Sequence, residues 1–227
     1  MTNIVGLGPT VKEVMDVDIA IIGAGNVGTA LAGSLVRAGH SVAISAADGS
    51  HARRAALASG ARAAADNIEA ARAAEVVVLA VPYAAVPDLL AEIGGSLEGK
   101  VVVDVTNPLR SDLGGLATAT SAAEEIQARL PAARVVKALN TAFAVHQADP
   151  HVEGTEVDGF VAGDDAAARA KVLALVESIG FRPIDAGPLT MARALASLAL
   201  LNISLQVRHG WSWQSGWKLV GPTTAAA

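Results

Sequence analysis

From Asp18 onward the chain alternates two hydrophobic rhythms. Short runs rich in β-branched residues, DIAII, SVAIS, EVVVLAV, KVVVDVT, RVVKALN and VDGFVAG, are apolar at nearly every position. A strand with that character is covered on both faces, so these runs predict a mostly parallel sheet wrapped by helices. Alanine-rich segments between them predict helices near residues 27–38, 50–58, 86–94, 121–130 and 164–179. In the last of these, Asp164 and Asp165 suit a helix N-terminus and Gly180 suits the stop. A further apolar helix is expected over 190–207. Its most apolar part, 195–207, is too short to span a bilayer and reads as a buried helix. No repeat and no linker divides the pattern, which fits an α/β fold, a doubly wound mostly parallel sheet with a small C-terminal helical part.

Composition narrows the function classes. The 227 residues suffice for a substantial core, and with 52% hydrophobic and 17% charged residues disorder is not expected. A net charge of -5 gives no basic footprint for nucleic acid or an anionic membrane. The chain has no cysteine, which removes disulfides and thiolate chemistry and is compatible with a reducing cytosol. The first 17 residues lack the basic start and apolar run of a secretory signal. They contain IVGLGP, but Val11 takes the third glycine position and Pro9 intervenes, so residues 1–17 are read as an extension.

The strand DIAII runs directly into GAGNVG, with Gly23, Gly25 and Gly28 in GxGxxG spacing and a helix following at once. Gly23 permits the tight turn, Gly25 lets a pyrophosphate approach the backbone, and Gly28 lets helix and strand pack closely. The helix N-terminus then offers free N–H groups and a positive dipole end to the phosphates. Dinucleotide binding follows from this order of elements. The second strand ends at Ser45, where an NAD site usually has an acidic residue for the ribose. Serine does not repel a 2′-phosphate, and Arg53 and Arg54 lie in the next helix, so NADP is favoured over NAD. Either arginine also reads as an ordinary solvated side chain.

An alcohol dehydrogenase needs a proton donor or acceptor at the reacting carbon. Here Tyr83 is the sole tyrosine and has no lysine partner four residues on. His40, His51, His146, His151 and His209 are expected without an evident catalytic partner, and no cluster has metal-ligand spacing. No catalytic acid or base is assigned. Hydride transfer between two redox cofactors requires none, because the protein need only juxtapose the rings and exclude water.

GAGNVG, VVVLAVP, VVDVTNP, VVKALNT, FVAGDD, FRPIDAGPL and the terminal GWKLVG, in that order, resemble the NADPH-dependent reductases of coenzyme F420, the 8-hydroxy-5-deazaflavin. The resemblance covers nearly everything from Asp18 to Gly221. It implies a cytoplasmic homodimeric oxidoreductase that binds NADP(H) and has coenzyme F420 as co-substrate, with a dinucleotide domain over 18–162. A C-terminal part, 163–227, would complete the second pocket and the dimer interface. Carried over by position, Gly23, Ala24, Gly25, Asn26 and Val27 would hold the pyrophosphate, ahead of the packing glycine Gly28, with Ser45 at the 2′-phosphate and Arg53 or Arg54 of the next helix as substitutes for the family's arginine. Val81 and Pro82 would line the nicotinamide, Asn107 and Pro108 the strand end beside it, and Asn140 and Thr141 the deazaflavin side. Gly187, Pro188 and Leu189 would wall the second pocket, although RPIDAGPL also reads as a strand-to-helix corner.

The chain departs from that pattern in places. Ser45 is followed by Ala46 and Ala47 where an arginine often stands, and Asn140 occupies a position that can hold histidine. At Asn140 the sequence looks closer to the cytosolic oxidoreductase domain of the six-transmembrane ferric reductases. An NADPH-dependent reductase of a flavin or a small organic acceptor, or a dinucleotide sensor without turnover, stays open as an alternative. Trp211, Trp213 and Trp217 are expected to anchor the tail or an interface, with stacking on the second ring as the other reading.

Overall fold

A computed structural model describes residues 16–221, so the reading of IVGLGP and nearly all of the N-terminal extension lies outside the described residues. The strands are β1 Asp18–Ile22, β2 Ser41–Ser45, β3 Arg62–Ala63, β4 Val76–Leu79, β5 Val101–Asp104, β6 Arg134–Ala138, β7 His151–Val152, β8 Thr155–Glu156, β9 Asp158–Gly163 and β10 Arg182–Gly187. The helices are α1 Asn26–Arg37, α2 Gly49–Ser59, α3 Asn67–Ala73, α4 Val86–Ile93, α5 Ala122–Arg129, α6 Ala144–Ala148, α7 Ala166–Ser178 and α8 Ala192–His209. Eight strands form one sheet in the order β10-β9-β6-β5-β4-β1-β2-β3, and β7 and β8 make a separate hairpin. The β6–β9 pair is antiparallel and every other pair in the large sheet is parallel. This is the expected mostly parallel, doubly wound α/β sheet.

The continuous apolar runs are explained by the two cores. Alternate strand residues point to opposite faces, so Ile19, Ile21, Val76 and Val78 join one core with Leu31, Leu35, Val172 and Val176 of α1 and α7. Ala20, Ile22, Val77 and Leu79 join the other, with Ala70, Leu90, Ile126 and Ala192 of α3, α4, α5 and α8. Helix ends follow local chemistry. Asp48, Asp66, Ser121 and Asp165 each accept a backbone N–H at the start of α2, α3, α5 and α7. Gly60 and Gly210 end α2 and α8 in the left-handed conformation.

Several readings change. RPIDAG is a strand, β10, pairing in parallel with β9 at the sheet edge and breaking register between Asp185 and Gly187. The last helix, expected over 190–207, is Ala192–His209, shifted by two residues, and Leu189–His209 has the length and composition of a membrane span. Only one face is buried: Leu195, Ala196, Ala199, Asn202 and Gln206 pack inward while Leu201 and Val207 are exposed. The histidines also have defined settings. His40 bonds Ser178 at 3.0 Å, His151 bonds Asp149 at 2.8 Å, His146 is buried in α6, and His209 stacks on Trp211.

After α8 the tail returns over the upper end of β9. The Asp158 N–H donates to the Trp217 carbonyl at 2.9 Å, and the Leu219 N–H donates to the Asp158 carboxylate at 2.6 Å. Arg182 grips the same carboxylate at 2.6 and 2.7 Å. Burial opposes ionisation of Asp158, but Arg182, the Leu219 N–H and Lys218 outweigh it and hold the carboxyl below its ordinary value. Trp217 is half-buried, whereas Trp211 and Trp213 are exposed; Trp213 meets Phe143 edge to face.

Candidate functional site

Each functional side chain is set by the end of a strand. At the end of β1, Gly23 has φ +121°, and a Cβ there would lie 2.2 Å from the Ala80 carbonyl oxygen. A Cβ on Gly28 would meet the Gly23 carbonyl oxygen at 1.9 Å. These two glycines let α1 approach β1 and β4. Gly25, which caps α1, is different: it is exposed, and a Cβ would meet nothing within 4 Å. The space in front of Gly25 and of the first N–H groups of α1 is therefore open, with no acidic residue in that turn. Asn26 is exposed there and Ala24 and Val27 are partly exposed. The cradle fits a pyrophosphate.

At the end of β2 the Ser45 side chain is fully buried and donates to Asn67 Oδ1 at 2.8 Å; Asn67 in turn donates to Glu92 at 3.0 Å. The Ser45 hydroxyl is thus already engaged. The exposed face of this turn carries Arg53, whose guanidinium lies 3.4 Å from a Cβ built on Gly49, over the start of α2. Asp48 stands beside it, and its hydrogen bonds from Ser50 hold its carboxyl below the ordinary range.

The ends of β4, β5 and β6 form a continuous shelf. Val81 is partly exposed and Pro82 exposed after β4. Tyr83 donates its hydroxyl to Glu125 at 2.6 Å, and Glu125 also accepts from Thr118 at 2.5 Å. Burial, and then the Glu125 carboxylate, push the Tyr83 phenol up to about 12. After β5 and β6, Asn107 donates to the Asn140 carbonyl at 2.9 Å and Asn140 returns a bond to Asn107 Oδ1 at 3.0 Å. Asn140 also donates to the Leu195 carbonyl of α8 at 3.1 Å. Pro108 and Thr141 are buried behind this pair. Asn140 Oδ1 and Thr106 Oγ1 are buried without a hydrogen-bond partner, an acceptor and a hydroxyl left free at the strand ends.

Beneath the shelf lies a buried ion pair. Lys137 and Asp104 sit opposite each other in register, both fully buried, with Lys137 Nζ 2.9 Å from the carboxylate. Lys137 also donates to the Thr106 carbonyl, and Asp104 accepts the Thr106 N–H at 2.8 Å. The pair therefore fixes the turn that delivers Asn107. Desolvation lowers the Lys137 ammonium pKa, with Asp104 opposing it.

A crevice of about 620 Å³ opens from Pro82, Tyr83 and Asn107 toward Arg110 and Asp112. The structure thus brings the glycine turn, Pro82, Asn107 and Asn140 onto adjacent strand ends. Gly187, Pro188 and Leu189 stand elsewhere: Gly187 ends the edge strand β10, two strand positions from β6, and Pro188 and Leu189 follow it. Because β9 and β10 run antiparallel to β6, the chain leaves Gly187 toward the start of β6 rather than toward the Asn140 end. Pro188 is exposed there, while Leu189 is core, 2% exposed, its N–H bonded to Asp164 at 2.8 Å. Sequence reasoning passed over Lys137, Asp104, Asn67, Glu125 and Arg110. A lysine inside an apolar strand and an aspartate just before TNP were the legible signals of the first two.

A doubly wound sheet with a glycine turn between β1 and α1, and an open helix N-terminus over the strand ends, defines a Rossmann-type dinucleotide-binding protein. The family profile described as NADP oxidoreductase coenzyme F420-dependent matches residues 18–108. The chain is 34% identical over 214 residues to the F420-dependent NADP reductase of Methanothermobacter thermautotrophicus, covering 87% of this chain and 92% of that protein. It superposes with a TM-score of 0.82 on the crystal structure of a candidate F420-dependent NADP reductase from Arthrobacter sp. FB24, at 33% identity, covering 90% of this chain and 100% of that one. The Metalloreductase STEAP3 of Rattus norvegicus is 32% identical over 80% of this chain, which spans only 36% of that protein. The chain belongs to the family of coenzyme F420-dependent NADP oxidoreductases, and it is an NADP-dependent oxidoreductase.

Proposed function

We propose that the protein transfers a hydride between NADPH and the deazaflavin of coenzyme F420, by juxtaposition of the two rings. NADPH supplies the hydride when bound, and the deazaflavin takes it together with a proton from solvent. The backbone from Gly23 to Gly28 receives the pyrophosphate. Arg53, lying over Gly49, takes the 2′-phosphate, and because the Ser45 hydroxyl is spent on Asn67, Ser45 contributes by shaping the turn. Val81 and Pro82 wall the nicotinamide. The mutually bonded Asn107 and Asn140 hold the β5 and β6 ends at one height, and Asn140 Oδ1 is free to accept an N–H from a bound ring. The C-terminal part closes the second pocket through α8, whose Leu195 carbonyl accepts from Asn140.

The observation that carries this reading is the crevice beginning at Pro82 and Asn107, which leaves about 620 Å³ beside the nicotinamide wall. That volume is within the range of a site for a ring-sized ligand. The direct test follows absorbance with NADPH and oxidised F420, with NADH and flavin mononucleotide in parallel. Rapid NADPH-dependent bleaching of the deazaflavin is expected. Reduction of the flavin alone would overturn the choice of acceptor while leaving the dinucleotide site intact. We propose also that two copies associate through the exposed face of α8.

A further inference from the structure

The far end of that crevice is built by a preformed loop whose chemistry the ring reaction does not use. Leu109 and Leu116 form an antiparallel bridge, the Arg110 N–H donates to the Gly115 carbonyl at 3.0 Å, and the Ala117 N–H donates to the Pro108 carbonyl at 2.7 Å. Leu113 at φ 55° and Gly115 at φ 154° make the reversal possible. The backbone of Arg110 is therefore fixed where its side chain lines the crevice, soon after the Asn107–Pro108 turn. Arg110 is the one cationic side chain among the residues that line the crevice.

Its present partner is a weak one. Arg110 Nε and Nη2 lie 3.3 and 3.2 Å from the Asp112 carboxylate, longer than the ordinary 2.7–2.9 Å of a charge-assisted bond. Both side chains are 58% exposed, so solvent screens the attraction. Asp112 has a second partner in the Gly114 N–H at 2.9 Å, and that bond, ahead of Arg110, holds its carboxyl below the ordinary value. The guanidinium can leave Asp112 without leaving the carboxylate unsatisfied. A fork of N–H donors on a rigid loop, loosely occupied by an internal carboxylate, is suited to exchange that carboxylate for an oxyanion on a ligand. The chain as a whole carries -5, so an anionic ligand needs such a local cation.

We propose that the Leu109–Leu116 loop recognises the anionic chain of the co-substrate, with the Arg110 guanidinium binding a phosphodiester or carboxylate and Asp112 standing in for that group when the crevice is empty of it. This rests on the deazaflavin reading, since coenzyme F420 carries a phosphodiester and glutamate carboxylates beyond its ring. Asp112 is then an internal competitor, which gives the two halves of the ion pair opposite effects. A pair that served only to stabilise the loop would weaken binding from either side.

The test measures KM for F420, for the ring bearing the phosphodiester but no glutamates, and for the bare deazaflavin ring, with NADPH saturating. Arg110→Gln is expected to raise KM for F420 by about 10- to 100-fold, the worth of a charged hydrogen-bond pair. The ratio of KM for the bare ring to KM for F420 should fall accordingly. Asp112→Asn, which keeps an acceptor for Gly114, is expected to lower KM for F420 about 3-fold or more. Loss at the glutamate-free compound equal to that at F420 assigns the phospholactyl group; loss at F420 alone assigns a glutamate carboxylate. Shifts in the same direction for both variants, or an Arg110→Gln change under twofold, overturn the proposal. A wild-type protein that reduces no deazaflavin overturns the functional reading instead, and the loop is then judged by equilibrium titration of F420 fluorescence. The same opposite shifts in Kd are required there, and their absence overturns the loop assignment.

Discussion

At Gly25 a methyl group would meet no protein atom within 4 Å, while at Gly28 it would lie 1.9 Å from a carbonyl oxygen. The two glycines of one motif therefore separate ligand approach from packing. Gly25→Ala should leave the melting temperature within about 2 °C and weaken NADPH at least about 10-fold, because the added carbon would stand in the open space proposed for the phosphates. Gly28→Ala should cost about 2–4 kcal/mol of stability, since helix and strand must part. Thermal melts and NADPH titrations on both variants decide this; an unchanged NADPH affinity in Gly25→Ala would remove the pyrophosphate from that position. Asp158 is the second residue with a separable effect. Its folded carboxyl is depressed, so its contribution is complete above the unfolded value near 3.8 and is lost as pH falls through the lower folded value. Asp158→Asn should cost about 2–3 kcal/mol near neutrality and flatten the acid limb of stability, read as urea midpoints from pH 6 down to about pH 2. An acid limb as steep as wild type would place the sensitivity elsewhere.

The elements that sequence made legible are those whose pattern depends on burial alone. β1, β2, β4, β5 and β6 are continuous apolar runs because helices cover both faces, and the glycine turn is readable because its backbone geometry demands glycine. β10 was not legible, since its burial is only partial and RPIDAG carries two turn-forming residues, Pro183 and Gly187; only an edge position beside β9 accepts such a strand. The Lys137–Asp104 pair depends on two strands being in register, which no local pattern states. That pair makes its own prediction at this scale. Lys137→Met strands a buried carboxylate and should cost about 3–5 kcal/mol, whereas the double variant Lys137→Met with Asp104→Leu should recover most of it. Urea unfolding of the single and double variants measures the difference. Because Asp104 also orders Thr106, the double variant should regain stability without regaining full turnover, since the turn carrying Asn107 stays loose; full recovery of both would reduce the pair to packing.

For the whole molecule the open question is what covers α8. Its inner face is anchored by Leu195, Ala196 and Ala199 and by the buried Asn202–Gln206–Ser215 network that ties down the tail. The outward side of α8 leaves Leu201 at 49% exposure and Val207 at 58%, and Trp211, just beyond the helix end, is 48% exposed; exposed large apolar side chains gathered along one helix point to a contact surface. A second copy presents the same face and can cover it in a two-fold arrangement, which buries both helices at once. Asn140, through the Leu195 carbonyl, links this helix to the strand ends, so the order of α8 bears on the shelf beside the crevice. The expected outcome is a dimer at micromolar concentration by sedimentation equilibrium. Leu201→Glu with Val207→Glu should give a folded monomer that still binds NADPH, because neither side chain touches the core or the glycine turn. A wild-type monomer, or a double variant that stays dimeric, would overturn this interface. Flotation of the wild-type protein with lipid vesicles, lost in the same double variant, would instead assign the face to a membrane surface.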